Sequence, residues 1–113
     1  MELLVVDGAD ASKRLVLAGR LDAAGTETVE VAFAAQARAA RGHALVDMTA
    51  VSFVGSLGIR MLISAARAAD RAGIRFVIFG AQPAVAEVFR TTAVDELIAI
   101  LPDEAAARAQ LRA

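Results

Sequence analysis

Cysteine, tryptophan and tyrosine are absent from this sequence of 113 residues, which contains one His and two Pro. The lack of Cys excludes disulfides, thiolate nucleophiles and Cys-based metal sites. With His43 as the single imidazole, a paired-His metal site is excluded, and so is most His-centred catalysis. These absences predict a protein with no metal site and argue against a self-sufficient enzyme.

The charges are nearly balanced, with 12 Lys plus Arg against 13 Asp plus Glu and a net charge of −1. A pI near 5.8 does not predict the basic surface that nucleic-acid binding needs. The longest stretch without a charge, Met48 to Ile59, has 12 residues, whereas a membrane-spanning helix needs about 20. The N-terminus carries Glu2 where a secretory signal has basic residues. We expect a cytoplasmic protein with no membrane span and no direct nucleic-acid contact.

Apolar residues make up 58% of the chain, and 28 of its residues are Ala. The 37 larger apolar residues are enough for an ordinary core surrounded by Ala-rich helices. A chain of this length forms one domain as a rule. Residues 1–113 are therefore expected to form a single domain.

Strand-like and helix-like segments alternate along the chain. The apolar runs Leu3 to Val6 and Leu15 to Ala18 flank a polar turn and predict an N-terminal hairpin. The spacing of apolar residues, together with Gly or Pro at segment ends, predicts helices at 23–40, 58–72, 83–91 and 103–111. Short apolar runs predict strands at 44–48, 74–79 and 97–101. The sequence thus predicts an α/β fold, with a mixed, mostly parallel sheet of about five strands and about four helices.

The segment Val51 to Leu62 is the most informative, because a strand ends and a helix begins there among Gly55, Ser56 and Gly58. The N-terminus of a helix presents free N–H groups and favours negative charge. A phosphate on Ser56 would be partly stabilised there while adding about −1.5 to −2 charges to the surface. The alternative is that Ser56 only caps the helix, since Ser is a preferred N-cap residue.

A helical wheel divides the following helix into three arcs. Its apolar arc, which we expect to face the core, contains Ile59, Leu62, Ile63, Ala66 and Ala69. A neighbouring polar stripe contains Arg60, Ser64, Arg67 and Arg71. Leu57 and Met61 fall nearly opposite the apolar arc and predict a small docking patch on the solvent side. The alternative is that they are scattered surface hydrophobes, which are common.

Other candidates carry less chemistry. Asp22 follows the second strand and is predicted to cap the first helix, and His43 is predicted to lie in a surface turn after Gly42. The cluster Gly80 to Pro83 lacks the Gly and Lys spacing of a phosphate-binding loop. We find no paired carboxylates at motif spacing and no nucleophile elbow. The chain is therefore predicted to have no catalytic residues and no cofactor.

The order of elements and the Ser56 corner resemble the STAS domain family, above all the bacterial anti-sigma factor antagonists. Three segments carry the resemblance. Asp47 to Ile59 is similar to that family's Asp, apolar, Ser or Thr, any, Val, any, Phe, apolar, Asp, Ser, Ser, Gly, apolar run. Leu17 to Asp22 is similar to its Leu-Thr-Gly-Glu-Leu-Asp, and Pro83 to Phe89 to its Pro-x-Val-x-x-x-Phe helix. With the order of elements, the resemblance covers nearly the whole chain.

The resemblance implies a partner-switching function. In this family the Ser at the position of Ser56 accepts phosphate from a partner protein that is both a serine kinase and an anti-sigma factor. Phosphorylation weakens the binding and a cognate phosphatase restores it. We expect this chain to be a monomer or a weak dimer. The resemblance implies a partner-binding face made of Asp22, Gly55, Leu57, Gly58, Arg60, Met61, Ser64 and Arg67.

The sequence departs from the family pattern at three positions. Gly55 replaces the acid before the phosphoacceptor, Leu57 replaces a second Ser, and Ala93 replaces a Gly after Thr92. A second hypothesis is therefore a STAS scaffold that is never phosphorylated, such as a cytoplasmic subunit of a lipid or solute ABC transporter. In that case the same helix face would dock permanently on another subunit.

Overall fold

The structure is a computed structural model and describes residues 1–112. Five strands and four α-helices follow one another in the order expected for an α/β domain. They are β1 (Glu2–Asp7), β2 (Lys13–Leu21), α1 (Ala23–Ala39), β3 (His43–Val54), α2 (Ser56–Arg71), β4 (Arg75–Phe79), α3 (Pro83–Thr91), β5 (Ala99–Leu101) and α4 (Glu104–Arg112), with a 3₁₀ turn at Val94–Glu96.

The strands form one mixed sheet in the order β1-β2-β3-β4-β5. β1 and β2 form an antiparallel hairpin in which Leu4 lies opposite Val16. The other neighbours are parallel, as the helical crossovers between them require. The predicted α/β fold with a mostly parallel five-stranded sheet and four helices is confirmed.

The two faces of the sheet have separate apolar clusters, because successive side chains of a strand point to opposite sides. On one face, Val46 and Ile78 belong to the main core with residues of α1, α2 and α3, including Phe33 and Phe89. On the other face, Leu45 and its neighbours pack with Ala107 and Leu111 of α4. The main core therefore lies between the sheet and the first three helices.

The helix ends follow the predicted capping chemistry. Asp22 Oδ1 accepts a hydrogen bond from the N–H of Gly25 at 2.8 Å, and Asp103 Oδ1 accepts one from the N–H of Ala106 at 2.8 Å. Gly73 follows α2 with φ of +76°, the left-handed conformation expected of a glycine at that place. The predicted cap at Asp22 is confirmed, and the helix ends beside Gly73 and Asp103 lie close to their predicted bounds.

Some predicted bounds were wrong. β3 runs for 12 residues rather than over 44–48, because it stays paired with β2 from Ala44 to Val54 through two irregularities of register. β5 has only three residues. His43 is not in a surface turn: it is the first residue of β3 and pairs with Arg75, with its Nδ1 atom buried. None of the helices within residues 1–112 is both long enough and apolar enough to cross a membrane.

Candidate functional site

The corner between β3 and α2 is fixed to the end of β2. Gly55 is the N-cap of α2, with φ of −100° and ψ of −176°. Its N–H donates to the carbonyl of Leu21, the last residue of β2, at 2.9 Å. Its carbonyl accepts from the N–H of Ile59 at 3.0 Å and closes the first turn of the helix. The start of α2 therefore has a defined position relative to the neighbouring strand.

Ser56 is the first residue of α2 and is exposed. Its side chain does not cap the helix, and its Oγ has no hydrogen-bond partner within the part of the chain that the structure describes. The alternative that Ser56 only caps the helix is wrong, because Gly55 occupies the N-cap position. The N–H groups of the first turn are consequently not satisfied by a side chain, and they give this end of α2 a partial positive charge.

No side chain of the described residues is hydrogen-bonded to the hydroxyl of Ser56. A serine at its ordinary pKa is a weak nucleophile and needs an adjacent base to attack by itself. The corner can therefore present a hydroxyl group to another protein that brings its own base.

Buried glycines let the helices approach the end of β2 closely. A Cβ added to Gly58 would lie 2.9 Å from Leu21 Cβ and 3.0 Å from the Leu21 carbonyl oxygen. A Cβ added to Gly25, in the first turn of α1, would lie 2.0 Å from the carbonyl oxygen of Arg20. Gly58 was predicted to bind a partner. The structure instead buries it on the side of α2 that faces Leu21, where the lack of a side chain allows α2 to lie close to β2.

An irregularity in β3 places Phe53 at the surface beside Arg20. The register between β2 and β3 passes from Gly19 opposite Val51 to Arg20 opposite Phe53, so one residue of β3 is extra. Such a bulge changes the direction in which the following side chains point. The guanidinium carbon of Arg20 lies 4.4 Å from the centre of the Phe53 ring, within cation–π range. Sequence reasoning assigned no site role to either residue, although Phe53 belongs to the motif that carried the family resemblance.

Asp22 lies at the same edge, beside the Ser56 corner. Its carboxylate caps α1 and lies 3.6 Å from Nε of Arg20. The N–H of Gly25 and then the charge of Arg20 hold the pKa of the Asp22 carboxyl below its usual value. Asp22 is thus a fixed negative charge at the rim of the site, as well as a cap.

The exposed residues of the first turns of α2 flank a shallow groove against α1. Leu57, Arg60 and Ser64 are exposed and line this groove of about 200 Å³. Glu30 and Ala34 of α1 line its other side. Leu57 is 41% exposed and Phe53 39%, so two large apolar side chains lie near Ser56 at the surface. We call Phe53, Leu57, Arg60 and Ser64, together with Ser56, the switch surface.

Met61 is not on the solvent side, and its prediction as an exposed docking residue was wrong. It is 5% exposed and belongs to the main core, as does Ala65 one turn later. The reason is that α2 is covered by α1 as well as by the sheet, so its buried arc is wider and turned toward α1. Ile59 and Ile63, which were expected in the centre of that arc, are only half-buried.

Arg67 also departs from the expected arrangement. It lines a second groove with Ile63 and Ala66, farther along α2 than the groove that is lined by Arg60 and Ser64. Of the eight residues predicted to bind a partner, Leu57, Arg60 and Ser64 come together on one surface, with Gly55 and Asp22 at its rim. Gly58 and Met61 are buried, although Met61 lines the same groove as these three residues, and Arg67 lines the other groove.

Comparisons with known proteins agree with this architecture. A family model described as "Mlab, STAS domain" matches residues 4–102. No match to a curated protein sequence was found. Among solved structures, an anti-sigma factor antagonist from Mycobacterium paratuberculosis is 22% identical and superimposes with a TM-score of 0.88, over 99% of this chain and 94% of that one.

Two further structures show how widely the fold occurs. The Bacillus cell fate determinant SpoIIAA in its phosphorylated form is 18% identical with a TM-score of 0.70, over 98% of this chain and 100% of that one. A murine anion transporter, solute carrier 26 family member A9, is 18% identical with a TM-score of 0.76. That match covers 90% of this chain and 18% of the transporter. At these identities the likeness establishes a shared fold.

Proposed function

The chain belongs to the STAS domain family, and on that premise we propose that it is a non-catalytic regulator of the anti-sigma factor antagonist type. It binds an anti-sigma factor that is also a serine kinase, and phosphorylation of Ser56 controls the binding. A cognate phosphatase removes the phosphate. The protein acts in the cytoplasm as a monomer or weak dimer.

One observation carries this proposal: Ser56 is exposed at the start of α2, and its hydroxyl has no hydrogen-bond partner among residues 1–112. A serine in that state is accessible to the active site of a kinase, which supplies the base and the Mg²⁺-bound ATP. The occurrence of the same fold in an anti-sigma factor antagonist, and in SpoIIAA in a phosphorylated form, supports the same role.

The chemical step takes place on the kinase. The Ser56 oxygen attacks the γ-phosphorus of ATP, the bond to the β-phosphate oxygen breaks, and ADP leaves. The serine proton passes to a base of the kinase. The product carries about −1.5 to −2 charges at the switch surface. Because Leu57 and Phe53 are apolar and exposed there, a partner packed on them would have to bury that charge, and the complex dissociates.

The glycine before Ser56 affects the stability of the phosphorylated state. Gly55 has no carboxylate to repel a phosphate on Ser56, and the acidic residues of the site are Asp22 at its rim and Glu30 across the groove. The Asp22 charge is already compensated by the N–H of Gly25 and by Arg20. The phosphate therefore gains the positive end of α2 without a carboxylate immediately before it.

The experiment is phosphorylation of purified protein by a histidine-kinase-like serine kinase encoded beside its gene, with Mg²⁺ and ATP, followed by mass spectrometry. Wild type should gain one phosphoryl group and Ser56→Ala none. Ser52→Ala is the matched control, because Ser52 is exposed four residues earlier on β3 and should not change the result. Phosphate on Ser56→Ala, or none on wild type beside an active kinase, would contradict the proposal.

The second candidate function is a permanently docked scaffold subunit of an ABC transporter for lipid or solute. Its support is Leu57, which makes the switch surface more apolar than the Ser of the family pattern would, and the presence of this fold within an anion transporter. On this hypothesis the protein purifies with a transporter permease, and Ser56→Glu dissociates that complex although wild type never carries phosphate.

A further inference from the structure

A larger groove lies at the other end of α2 from Ser56. It has a volume of about 630 Å³, within the range of small-molecule sites. The apolar part of its lining includes Ile63 of α2, Phe76 of β4 and Leu97 before β5. Leu97 is 59% exposed, one of the most exposed large apolar residues of the described chain. The groove is lined by the C-terminal half of α2 with β4 and the segment before β5, whereas the groove beside the switch surface is lined by α2 and α1, so the two have different walls.

Two arginines on α2 line this groove and have no ion-pair partner among residues 1–112. Arg67 and Arg71 are exposed and one helical turn apart. Among residues 1–112 no carboxylate lies within ion-pair distance of either guanidinium group. Like charges four residues apart on a helix repel each other. Arg71 also complements the negative end of the α2 dipole, which does not account for the charge of Arg67 one turn earlier.

The other charged groups of the groove are accounted for. Arg75 donates to the carbonyl oxygens of Leu111 and Gln110 at 3.0 and 3.3 Å, so its donors are used at the end of α4. Asp70 is the single acidic residue among those lining the groove. The arginines outnumber this carboxylate, so the groove combines an excess of positive charge with apolar lining residues.

We infer that this groove binds a small organic acid with an apolar body. The acid group lies between Arg67 and Arg71, where guanidinium groups offer charge-assisted hydrogen bonds to a carboxylate. The apolar body lies against Ile63, Phe76 and Leu97. Binding of this kind removes the exposed surface of Leu97 from water and neutralises the repulsion between the two arginines. Asp70 opposes it.

The test is an NMR titration of ¹⁵N-labelled protein with octanoate, with acetate and 1-octanol as matched probes. Octanoate has both the charge and the apolar body, whereas each of the other two has one of them. We expect octanoate to shift the amide signals of the groove in a saturable way and the other two to bind several-fold more weakly. Equal shifts by acetate or by 1-octanol, or no shift of groove amides up to millimolar octanoate, would overturn the inference.

Variants assign the binding to the arginines. The double variant Arg67→Gln with Arg71→Gln should weaken octanoate binding about tenfold, since a charge-assisted contact is lost. Asp70→Asn should strengthen it. Arg38→Gln is the control, because Arg38 is exposed in the last turn of α1. All four side chains are exposed, so the fold should be retained and is checked by the spectra. Unchanged octanoate binding in the double variant would overturn the inference. Groove signals that shift with protein concentration alone would also overturn it, because they would indicate that a second copy of the chain occupies the groove.

Discussion

The two helices that follow β2 and β3 begin in different ways at the same edge of the sheet. The start of α1 is closed by the Asp22 carboxylate, which accepts a hydrogen bond from the N–H of Gly25. The start of α2 has Gly55 at the N-cap and no side-chain cap, with Ser56 exposed beside it. The first corner therefore uses its helix N-terminus for stability. The second leaves its N–H groups and a hydroxyl available to another molecule.

The corners also share a constraint, which is the close approach of each helix to the end of β2. Gly25 lies against the carbonyl of Arg20, and Gly58 lies against Leu21. A bond from the N–H of Gly55 to the carbonyl of Leu21 joins the second corner to the same strand. An exposed hydroxyl is thus held on a rigid support, which a partner protein needs if it is to recognise one geometry.

The largest expected effect comes from breaking the support common to both corners. Gly25→Ala places a Cβ 2.0 Å from the Arg20 carbonyl oxygen, so α1 must move and the free energy of unfolding should fall by about 3 kcal/mol or more. Gly58→Ala, at 2.9 Å from Leu21 Cβ, should cost about 1 to 3 kcal/mol. Urea denaturation measures both. Ala24→Ser is the exposed control, and a loss in Gly25→Ala no greater than in that control would refute the close approach.

The second prediction separates the exposed start of α2 from its buried continuation. Met61→Ala removes a core side chain that is 5% exposed and should lower the free energy of unfolding by about 2 to 5 kcal/mol. Leu57→Ala removes a side chain that is 41% exposed and should change it by less than about 0.5 kcal/mol. The same denaturation experiment compares them. Similar losses in both variants would mean that Leu57 belongs to the core and not to the switch surface.

The third prediction concerns the pH dependence of the capped corner. The N–H of Gly25 and the charge of Arg20 lower the pKa of Asp22 from its ordinary value of 3.8. A carboxyl whose pKa is lower in the folded state stabilises the fold above its unfolded pKa, and this contribution is lost as the pH falls through the folded value.

The matched variants for this pH test are Asp22→Asn and Asp22→Ala. Asp22→Asn keeps a capping side chain but does not titrate. The wild type should therefore lose stability on acidification relative to Asp22→Asn, as measured by thermal midpoints between pH 6 and pH 3. Asp22→Ala should be less stable than both at neutral pH. A constant difference between wild type and Asp22→Asn across that range would contradict the lowered pKa.

Much of the fold follows from local patterns in the sequence. The cap at Asp22 and the glycine at Gly73 were predictable because each is a local rule about a helix end. The length of β3 was not predictable from its residues. It continues beyond Met48 because β2 pairs with it through two irregularities, and pairing between distant segments has no local signal.

The candidate site was predictable only in part, for a related reason. The position of Ser56 at a strand-to-helix corner follows from the order of Gly and apolar residues around it. The burial of Met61 depends on how α1 packs on α2, which a wheel of one helix does not contain. The contact between Arg20 and Phe53 depends on the bulge that makes them neighbours. Contacts that need two elements at once were the ones that sequence analysis missed.

The smallest expected effect comes from giving the second corner the cap that it lacks. The backbone of Gly55 is extended, so Gly55→Asp is tolerated, and its Cβ would lie 3.3 Å from the ring of Phe53, which is exposed and able to shift. An acidic N-cap in place of Gly should raise the free energy of unfolding by a few tenths of a kcal/mol, whereas the control Gly55→Ala should not raise it. When Ser56 carries phosphate the gain should reverse, because the new carboxylate and the phosphate repel each other. If phosphorylated Gly55→Asp were more stable than phosphorylated wild type, the expected repulsion would be contradicted. The missing acidic cap at α2 would then have no bearing on phosphate at Ser56.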